Sequence, residues 1–300
     1  MTIRLGVIGL SEGNGHPYSW SAIFNGYEPV EMENCAFPVI PRYLEQQTWP
    51  EARIPQAQVT AIWTQDVAIS KHVARTASIA TVCESLDSLA QHVDAILLAR
   101  DDAENHLAHA SRFIELGMPI YIDKPIALSL ADLHSFYSLE QYPGQIFTCS
   151  ALRYSRQLHL DEADHDALGE IREITAFTPK SWAKYAIHII EPVLGLLKET
   201  DEPVSFYGSG VRPSNGNAAS LAVSWKSGVF TSFHATGAGM GPLMIRVHGT
   251  KGWKDLVFTD SFSAFRAALL DFVEGIETRT VRSPRAYNEK VIKILEAGLS

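Results

Sequence analysis

The segment IRLGVIGLSEGNG (residues 3–15) decides the fold prediction. Its first part, Ile3–Gly9, is an almost continuous apolar run, which is typical of a strand buried on both faces of a parallel sheet. Gly9, Gly13 and Gly15 then form a short loop before a helical stretch. Such a loop lets backbone N–H groups approach a pyrophosphate. Because the spacing is GxxxGxG rather than GxGxxG, the loop is either a nucleotide site or a turn without a ligand.

Strand and helix patterns alternate from here to about Ser150 and predict a doubly wound, mostly parallel α/β sheet. The predicted strands are 59–64, 80–83, 95–99, 119–122 and 145–150, and the predicted helices are 18–26, 67–77, 85–91, 103–116 and 129–139.

Strands dominate the second half, which favours an α+β domain with an open, largely antiparallel sheet. The predicted strands are 170–179, 203–211, 218–226, 229–236, 243–249 and 253–259, and the predicted helices are 153–167, 183–197, 262–276 and 284–299. We therefore expect a Rossmann-type domain over 1–150 and a substrate and oligomerisation domain over 151–300. Between them, two domains account for a length at which single cores stop growing, about 250–300 residues.

Residues 27–58 form a predicted insertion in the first domain. Gly9 and Thr64 are 55 positions apart, whereas a compact βαβ unit needs only ~30 residues. The segment is rich in proline and aromatic residues, and its aromatic content argues against disorder. It either reaches an active-site mouth or serves as an oligomer contact or surface decoration.

Composition excludes several classes of protein. The 300 residues carry a formal net charge of −9, which disfavours general nucleic-acid and anionic-membrane binders. The three cysteines, Cys35, Cys83 and Cys149, lie far apart without zinc-ligand spacing, so we expect no metal site and reduced thiols in a cytoplasm. The N-terminus has no signal-peptide pattern, and the longest apolar runs fall short of the ~18–20 residues that span a bilayer.

Three groups of residues carry possible chemistry. The second strand ends at Thr64-Gln65-Asp66 without the acidic residue usual for a ribose, so Thr64 and Gln65 either bond a 2′-hydroxyl or leave room for a 2′-phosphate. Asp123 and Lys124 end a buried strand, where they either face a ligand crevice or form a surface turn. His188 is either a proton-transfer group or a core histidine, and Lys184, one helical turn away, favours its neutral form.

The chain resembles the glucose–fructose oxidoreductase / inositol dehydrogenase / MocA (Gfo/Idh/MocA) family. The similarity rests on the opening residues 3–10, the segment 96–106, Asp123-Lys124-Pro125 in place of a Glu-Lys-Pro motif, Gly169-Glu170-Ile171, the helix with His188, and residues 247–253 with a GTKG turn. It implies NAD or NADP as cofactor and a sugar-like or cyclitol substrate at the domain interface. It also implies Lys124 as the catalytic lysine and His188 as the catalytic histidine. Relatives often have Asp and Gly where this chain has Lys184 and Ala186, and this difference leaves the precise chemistry open.

Further residues are assigned roles from their positions. The predicted cofactor contacts are Gly9, Ser11, Gly13, Asn14, Gly15, Thr64, Gln65, Asp101, His106 and Asp123. The predicted substrate contacts are Arg153, Tyr154, Lys184 and Tyr185, with Lys180 and Trp182 nearby. Asp102 is either part of the cofactor site or a helix N-cap, and Trp182 either stacks on a sugar or packs in the core.

The leading hypothesis is an enzyme that moves a hydride between nicotinamide and a secondary alcohol carbon. A ligand-sensing regulatory protein that keeps the fold without turnover is the alternative. A third reading is an enzyme that uses bound NAD transiently. We also expect a homodimer or homotetramer built through the second domain's sheet, whose strands include Leu221-Ala222-Val223 and Val229-Phe230.

Overall fold

A computed structural model of the chain describes residues 2–209 and 216–299. The chain divides into two compact units. Unit 1 contains residues up to 127, 131–149 and 265–285, and unit 2 contains 128–130, 150–264 and 286 onwards. The predicted division at residue 150 stays a prediction, and the units differ from it in that 265–285 group with unit 1.

Unit 1 is built on a parallel sheet, as predicted. Its strands are β1 (Ile3–Gly9), β2 (Ala57–Thr64), β3 (Thr81–Val82), β4 (Ala95–Leu98), β5 (Ile120–Ile122) and β6 (Ile146–Phe147). They follow the spatial order β3-β2-β1-β4-β5-β6, and each neighbouring pair is parallel. The strand order reverses between β1 and β4, so the crevice beyond their carboxyl ends is where such sheets bind ligands.

Helices flank this sheet: α1 (His16–Asn25), α2 (Pro29–Glu33), α3 (Val39–Leu44), α4 (Val67–Thr76), α5 (Leu86–Ala90), α6 (Ala103–Glu115) and α7 (Leu130–Leu139). Local signals explain several of their ends. Asp66 caps α4 by accepting the N–H of Ala68, and Ser85 caps α5 by accepting the N–H of Ser88. Gly117 follows α6 with φ +73°, a left-handed conformation suited to glycine.

Residues 27–58 are ordered and folded onto unit 1. They contain α2 and α3 and bury Met32, Ile40, Leu44 and Ile54. The segment meets the glycine loop at Gly15, where an added Cβ would lie 2.5 Å from Ile40 Cδ1 and 2.7 Å from Phe37 Cγ. Gly15 is therefore required for close packing of the predicted insertion against the loop.

The sheet of unit 2 is largely antiparallel, also as predicted. Its strands are β7 (Ile171–Thr178), β8 (Pro203–Gly208), β9 (Ala219–Trp225), β10 (Phe230–Ala235), β11 (Met244–Gly249) and β12 (Trp253–Val257), in the order β12-β11-β7-β10-β9-β8. The β7–β10 pair is parallel and the other pairs are antiparallel. The hairpin between β9 and β10 turns at Gly228, whose φ is +88°. The last two residues of the predicted strand 203–211 lie outside the described residues.

The two faces of this sheet differ in burial. Residues of β9 alternate, so that Leu221 and Val223 are buried while Ala222 lies on the opposite face. That outer face includes Phe230, Tyr207 and Trp253, which are 39%, 57% and 64% exposed. Of the strand residues predicted for association, Ala222 and Phe230 lie on this outer face, while Leu221 and Val223 belong to the core of unit 2; the association itself stays a prediction.

The predicted helix over 153–167 is wrong. This stretch forms two 3-10 turns, Ala151–Tyr154 and Arg156–Leu158, before the short helix α8 (Glu162–Leu168). Ser155 interrupts the first part with an extended backbone, and Asp161 starts α8 with a capping box in which Asp161 and Asp164 accept each other's N–H.

The remaining helices of unit 2 begin with a pair in place of one predicted helix. Residues 182–196 form α9 (Trp182–Tyr185) and α10 (Ile187–Leu196), which are separated by a turn at Ala186. The closing helices are α11 (Ser261–Thr278), of which only residues 261–264 belong to unit 2, and α12 (Arg285–Ala297). Trp182 ties α9 to α12 because its indole N–H donates to the carbonyl of Leu295 at 2.8 Å.

Candidate functional site

A cluster of buried and half-buried polar side chains lies where β1, β4 and β5 end, and we call it the strand-end cluster. Its members are Ser11, Asn14, His16, Asp101, Asp123 and Lys124. The Ser11 hydroxyl donates to Asp101 Oδ1 at 2.7 Å and accepts the Asp101 N–H at 3.0 Å. The glycine loop is thereby fixed to the end of β4. The sequence placed five of these six residues in the site and missed His16, for which its position just after the last loop glycine was the available signal.

Asp123 is the most heavily bonded carboxylate of the strand-end cluster. Its Oδ2 accepts the Asn14 amide N–H at 2.8 Å and lies 2.7 Å from His16 Nδ1, and its Oδ1 accepts the Lys124 N–H at 2.8 Å. Burial opposes ionisation, but the charges of His16 and Lys124 and these hydrogen bonds outweigh it and hold the pKa of Asp123 far below its usual range. Asp123 is therefore a carboxylate at any physiological pH.

Lys124 is buried beside the other carboxylate of the strand-end cluster. Its Nζ lies 3.8 Å from Asp101 Oδ2, and both side chains are 7% exposed. This pairing with Asp101 holds the Lys124 side chain in place at the end of β5. The surface-turn alternative for Asp123 and Lys124 does not hold, because both residues are buried.

The carboxyl end of β2 is closed by internal bonds. The Thr64 hydroxyl donates to the Asp66 carbonyl at 2.6 Å, and the Thr64 N–H donates to Ser70 Oγ at 2.9 Å. Gln65 accepts the Leu10 N–H at 2.9 Å and donates to the Leu10 carbonyl at 2.5 Å. Both side chains are thus used in shaping the loop, and their contact with a cofactor stays a prediction.

Arg100 also belongs to this end of the sheet, and the sequence reasoning did not single it out. Its guanidinium donates to the Leu10 carbonyl at 3.0 Å and to Gln65 Oε1 at 3.1 Å, and it pairs with Asp102 at 2.5 Å. Burial acts to raise the pKa of Asp102. The hydrogen bonds from Arg100 and Asn105 and the charge of Arg100 outweigh it, so this pKa lies below its usual range. The Asp102 side chain does not cap α6, so the N-cap alternative is wrong for its carboxylate.

His106 is fully buried between two main-chain carbonyls. Its Nε2 lies 2.9 Å from the Arg100 carbonyl and its Nδ1 lies 3.2 Å from the Ile126 carbonyl. Burial lowers its pKa, although the two carbonyl contacts favour the cation. The ring joins the end of β4 to the loop after β5, and its predicted cofactor contact stays a prediction.

The glycine loop has one open position. Gly13 has φ +78° and no atom within 4 Å of the place where a Cβ would stand. Gly9, by contrast, is packed tightly, because a Cβ there would lie 2.4 Å from Pro17 Cγ. A Cβ would therefore meet open space at Gly13, whereas packing excludes one at Gly9 and Gly15.

In unit 2, His188 is held by neighbouring side chains. Its Nδ1 lies 2.8 Å from Ser150 Oγ, and its ring meets the ring of Tyr185 edge-on at 5.3 Å. Tyr185 also accepts a hydrogen bond from Lys180, whose ammonium lies 4.4 Å from the centre of that ring. Of the predicted substrate contacts, Tyr185 thus lies beside His188. Trp182 is fully buried, so it packs in the core of unit 2.

Glu191 is a buried carboxyl one helical turn after His188. Its Oε1 accepts the Ser150 N–H at 2.7 Å, and its Oε2 is buried without a hydrogen-bond partner among the described residues. Burial raises the pKa of Glu191 to about 7, against the opposing effects of Arg153 and the Ser150 N–H. The Arg153 guanidinium lies 4.7 Å from the centre of the Tyr287 ring and 5.4 Å from that of Tyr154. Sequence reasoning missed Ser150 and Glu191; Glu191 could have been noticed as the one charged residue in the apolar run 187–197.

Two further observations concern the described residues as a whole. No group of three or more His, Cys, Asp and Glu side chains among them has a geometry that could hold a metal ion. None of the helices in the described part of the chain has the length and apolarity needed to cross a membrane.

The buried Glu191 predicts a pH-dependent stability. Its pKa is about 7 in the folded chain against an ordinary 4.5, so folding takes up a proton and this contribution to stability, present below pH 4.5, is lost as pH rises through 7. Glu191→Gln removes this dependence. We expect the variant to gain stability relative to the unsubstituted protein as the pH rises from 5 to 8. The difference in melting temperature should increase, and the matching change in the free energy of unfolding has an upper bound of about 3 kcal/mol. Calorimetry at both pH values measures it, with the exposed Glu84→Gln as control. An offset that is the same at both pH values would contradict the prediction.

Known proteins resemble this chain in two ways. Residues 42–150 match the model of an oxidoreductase family with an NAD-binding Rossmann fold, the Gfo/Idh/MocA family. None of the curated proteins matches the sequence significantly. The glycine loop precedes the matched residues, so its role as a nucleotide site stays a prediction.

Several solved structures share the fold over nearly the whole chain. Myo-inositol 2-dehydrogenase from Lactobacillus plantarum is 15% identical with a TM-score of 0.74, covering 99% of this chain and 96% of its own. UDP-N-acetylglucosamine 3-dehydrogenase from Acidithiobacillus ferrooxidans is 15% identical with a TM-score of 0.70, covering 100% of both chains. Myo-inositol dehydrogenase from Lactobacillus casei, solved with NAD(H) and myo-inositol, is 16% identical with a TM-score of 0.71, covering 99% of this chain and 93% of its own.

The match and the shared fold confirm three predictions made from the sequence: the family, the oxidoreductase class, and a Rossmann domain for a nicotinamide cofactor. Residues 42–150 thus carry the chain's similarity to the Gfo/Idh/MocA oxidoreductase family and its NAD-binding Rossmann fold.

Proposed function

We propose that this protein transfers a hydride between a nicotinamide cofactor, NAD or NADP, and a secondary alcohol or ketone carbon of a sugar-like or cyclitol substrate. The observation that carries the proposal is the buried Lys124 at the carboxyl end of β5, beside Asp101 and Asp123, in a chain whose matched residues belong to an NAD-binding oxidoreductase family. The relatives named above act on cyclitols and on a nucleotide sugar, which supports this class of substrate.

The residues of the glycine loop fit a dinucleotide. Gly13 leaves open space in a left-handed conformation, so that the backbone can approach a pyrophosphate, while Ser11 and Asn14 are held by Asp101 and Asp123. When bound, the nicotinamide supplies the acceptor or donor of the hydride. Because Asp66 uses its carboxylate to cap α4, the choice between NAD and NADP stays open.

Lys124 and His188 are the proposed catalytic residues. In alcohol oxidation, the hydroxyl proton moves to His188 as the C–H hydride leaves and the C–O bond becomes C=O, and Lys124 donates a hydrogen bond to that oxygen. Ketone reduction reverses each transfer. Lys184 and Tyr185, next to His188 in the chain, and Arg153 and Tyr154 are the proposed substrate contacts.

Two other functions are distinguished by simple measurements. The first is a ligand-sensing protein, which would bind nucleotide and sugar without turning either over. It is suggested by Lys184, because members of the resembled family often have Asp at this position. An enzyme that uses bound NAD transiently would form product with no net change in nicotinamide absorbance. A panel of cyclitols and nucleotide sugars, followed by both absorbance and product analysis, separates these cases from net hydride transfer.

Glycine-loop substitution tests cofactor binding. Gly13→Val places a branched side chain in the open space beside the backbone, so we expect nucleotide affinity to fall at least about tenfold by loss of the close approach. Gly117→Val is a matched control, because Gly117 also has a left-handed φ of +73° and open space around it, but lies at the end of α6. Calorimetric titration of NAD(H) and NADP(H) into both folded variants decides the matter. Unchanged affinity in Gly13→Val would refute the loop as the nucleotide site.

Turnover of two single variants and their double variant tests the catalytic pair. General acid–base groups contribute ~10²–10⁴-fold, so His188→Ala and Lys124→Ala should each lower kcat by about that factor. The double variant should lose less than the product of the two, because both residues act on one proton transfer. His234→Ala is the control, since His234 also bonds a serine through Nδ1, at 2.8 Å from Ser220. Near-normal turnover per folded, nucleotide-bound His188→Ala molecule would make His188 a core histidine.

The proposal includes a homodimer or homotetramer that associates through the outer face of the unit 2 sheet. This face carries Phe230 and Trp253 beside polar residues such as the Arg246–Asp255 pair, whose atoms lie 2.6 Å apart. A large apolar patch on an open sheet is usually covered.

The three cysteines are free and buried, which supports a reducing, cytoplasmic location as part of the proposal.

A charge on this face tests the association. Phe230→Glu puts a carboxylate on the outer face, and burying it without a partner in an interface is unfavourable, so we expect dissociation at micromolar concentration. Leu116→Glu introduces the same charge at a residue of unit 1 that is 55% exposed and serves as control. Light scattering measures the molar mass of each. A monomer for the unsubstituted protein, or an unchanged oligomer for Phe230→Glu, would reject the interface.

A further inference from the structure

His188 is backed by a hydrogen-bonded connection that ends in a buried carboxyl. Ser150 Oγ lies 2.8 Å from His188 Nδ1, and the N–H of the same serine donates to Glu191 Oε1 at 2.7 Å. Ser150 is fully buried and Glu191 is 2% exposed. One residue therefore contacts the imidazole with its side chain and the carboxyl with its main chain.

The Ser150 hydroxyl has a limited range of orientations and stays in contact with the His188 ring. The Ser150 hydroxyl also accepts the Leu152 N–H at 3.2 Å, which limits its rotation. A hydroxyl can accept from a protonated Nδ1 or donate to an unprotonated one, so it remains a partner to the ring in either protonation state. With Nδ1 held in this way, proton exchange with a substrate oxygen falls to Nε2.

Glu191 is itself fixed by groups from the elements around it. Arg153, in the 3-10 turn after Ser150, acts on it electrostatically, and Tyr287 of α12 donates its hydroxyl to the Glu191 carbonyl at 3.3 Å. His188 precedes it by three residues on α10. Tyr287 thus anchors the main chain of Glu191, while the Glu191 carboxyl oxygen accepts the Ser150 N–H.

We infer that Ser150 and Glu191 are positioning residues for His188: Ser150 holds the imidazole through Nδ1 so that Nε2 faces the reacting oxygen, and Glu191 holds Ser150. This rests on the proposed function, in which His188 exchanges the substrate proton. The second serine–histidine pair of unit 2, Ser220 and His234, has the same 2.8 Å contact through Nδ1 and lies on the outer face of the sheet. It therefore provides a matched control for losing such a contact without losing positioning.

The first experiment needs no turnover. Protein with ¹⁵N-labelled histidine is studied by long-range ¹H–¹⁵N NMR, with the His188 signals assigned by their loss in His188→Gln. In Ser150→Ala, the Nδ1 and Nε2 shifts of His188 should change, because the tautomer and the Nδ1 hydrogen bond change. In Ser220→Ala, the His188 shifts should stay as they are. Unchanged His188 shifts in folded Ser150→Ala would overturn the inference.

The second experiment uses the turnover assay. Ser150→Ala should lower kcat by about 10- to 100-fold with KM nearly unchanged, the size usual for a group that orients a functional histidine. Glu191→Gln keeps an oxygen that accepts the Ser150 N–H and should stay within about threefold of normal kcat, whereas Glu191→Ala should approach the Ser150→Ala value. Ser220→Ala should be normal.

The outcomes separate the two proposals. An equal loss of kcat in Glu191→Gln and Glu191→Ala would overturn the positioning role of Glu191, since charge rather than the accepted hydrogen bond would then matter. Normal kcat in Ser150→Ala would overturn the role of Ser150. A protein that turns over no substrate in the panel would refute the proposed function, and the NMR shifts would still decide whether Ser150 holds His188. If Ser150→Ala does not fold, the two Glu191 variants supply both readouts.

Discussion

The buried carboxylate of Asp123 is the constraint on which unit 1 depends. A buried charge must be paired and hydrogen-bonded to be tolerated, and Asp123 achieves this with Asn14 from the glycine loop, His16 from the start of α1 and the N–H of Lys124. Satisfying the charge therefore draws the loop, the first helix and the end of β5 together. His16 is held from its other side by Trp20, which stacks on it with ring centres 4.9 Å apart and also stacks on Tyr121 of β5 at 4.8 Å. Asp101 does the same for β4, by bonding Ser11 and lying beside the Lys124 ammonium. The position of Lys124 is thus set by two carboxylates that also shape the loop.

The unusual glycine spacing and the long segment 27–58 are two parts of one feature. In the common spacing, the third glycine allows the helix to pack closely on the strand. Here Gly9 makes room for Pro17 of α1, and Gly15 makes room for Phe37 and Ile40 of the added segment. Any side chain at residue 15 would push this segment away from the loop. The family match starts at residue 42, after the part of the chain in which this rearrangement lies.

Periodicity and turn residues were sufficient to predict both sheets, because buried parallel strands and half-buried antiparallel strands leave different apolar patterns in the sequence. They also placed Asp123 and Lys124 at the end of a buried strand, where the structure has both of them. They failed over 153–167, where the capping box of Asp161 and Asp164 is a local signal of a new helix start that outweighs the apolar pattern. The hydrogen-bond partners of the candidate site residues could not be predicted for a different reason. Asn14 and Asp123 are 109 positions apart, and Ser150 and Glu191 are 41 apart, so only the folded chain brings them together. The positions of such contacts are set by tertiary packing, which no local pattern encodes.

The two serine–histidine pairs of unit 2 show why geometry alone does not identify a functional histidine. Both pairs have an Oγ–Nδ1 distance of 2.8 Å, and His234 even stacks on Phe177 with ring centres 4.8 Å apart. The difference lies behind the serine. Ser220 stands on a sheet surface, whereas Ser150 is bonded to a carboxyl that is buried with one oxygen lacking a hydrogen-bond partner among the described residues. Above about pH 7 such a group destabilises the fold, because burial raises its pKa to about 7 and a neutral side chain of the same shape would be better tolerated there than the ionised carboxyl. Perturbed ionisable groups of this kind are concentrated at functional sites. The buried carboxyl next to Ser150 therefore supports the proposed role of His188, because packing alone would favour an amide or an apolar side chain at residue 191.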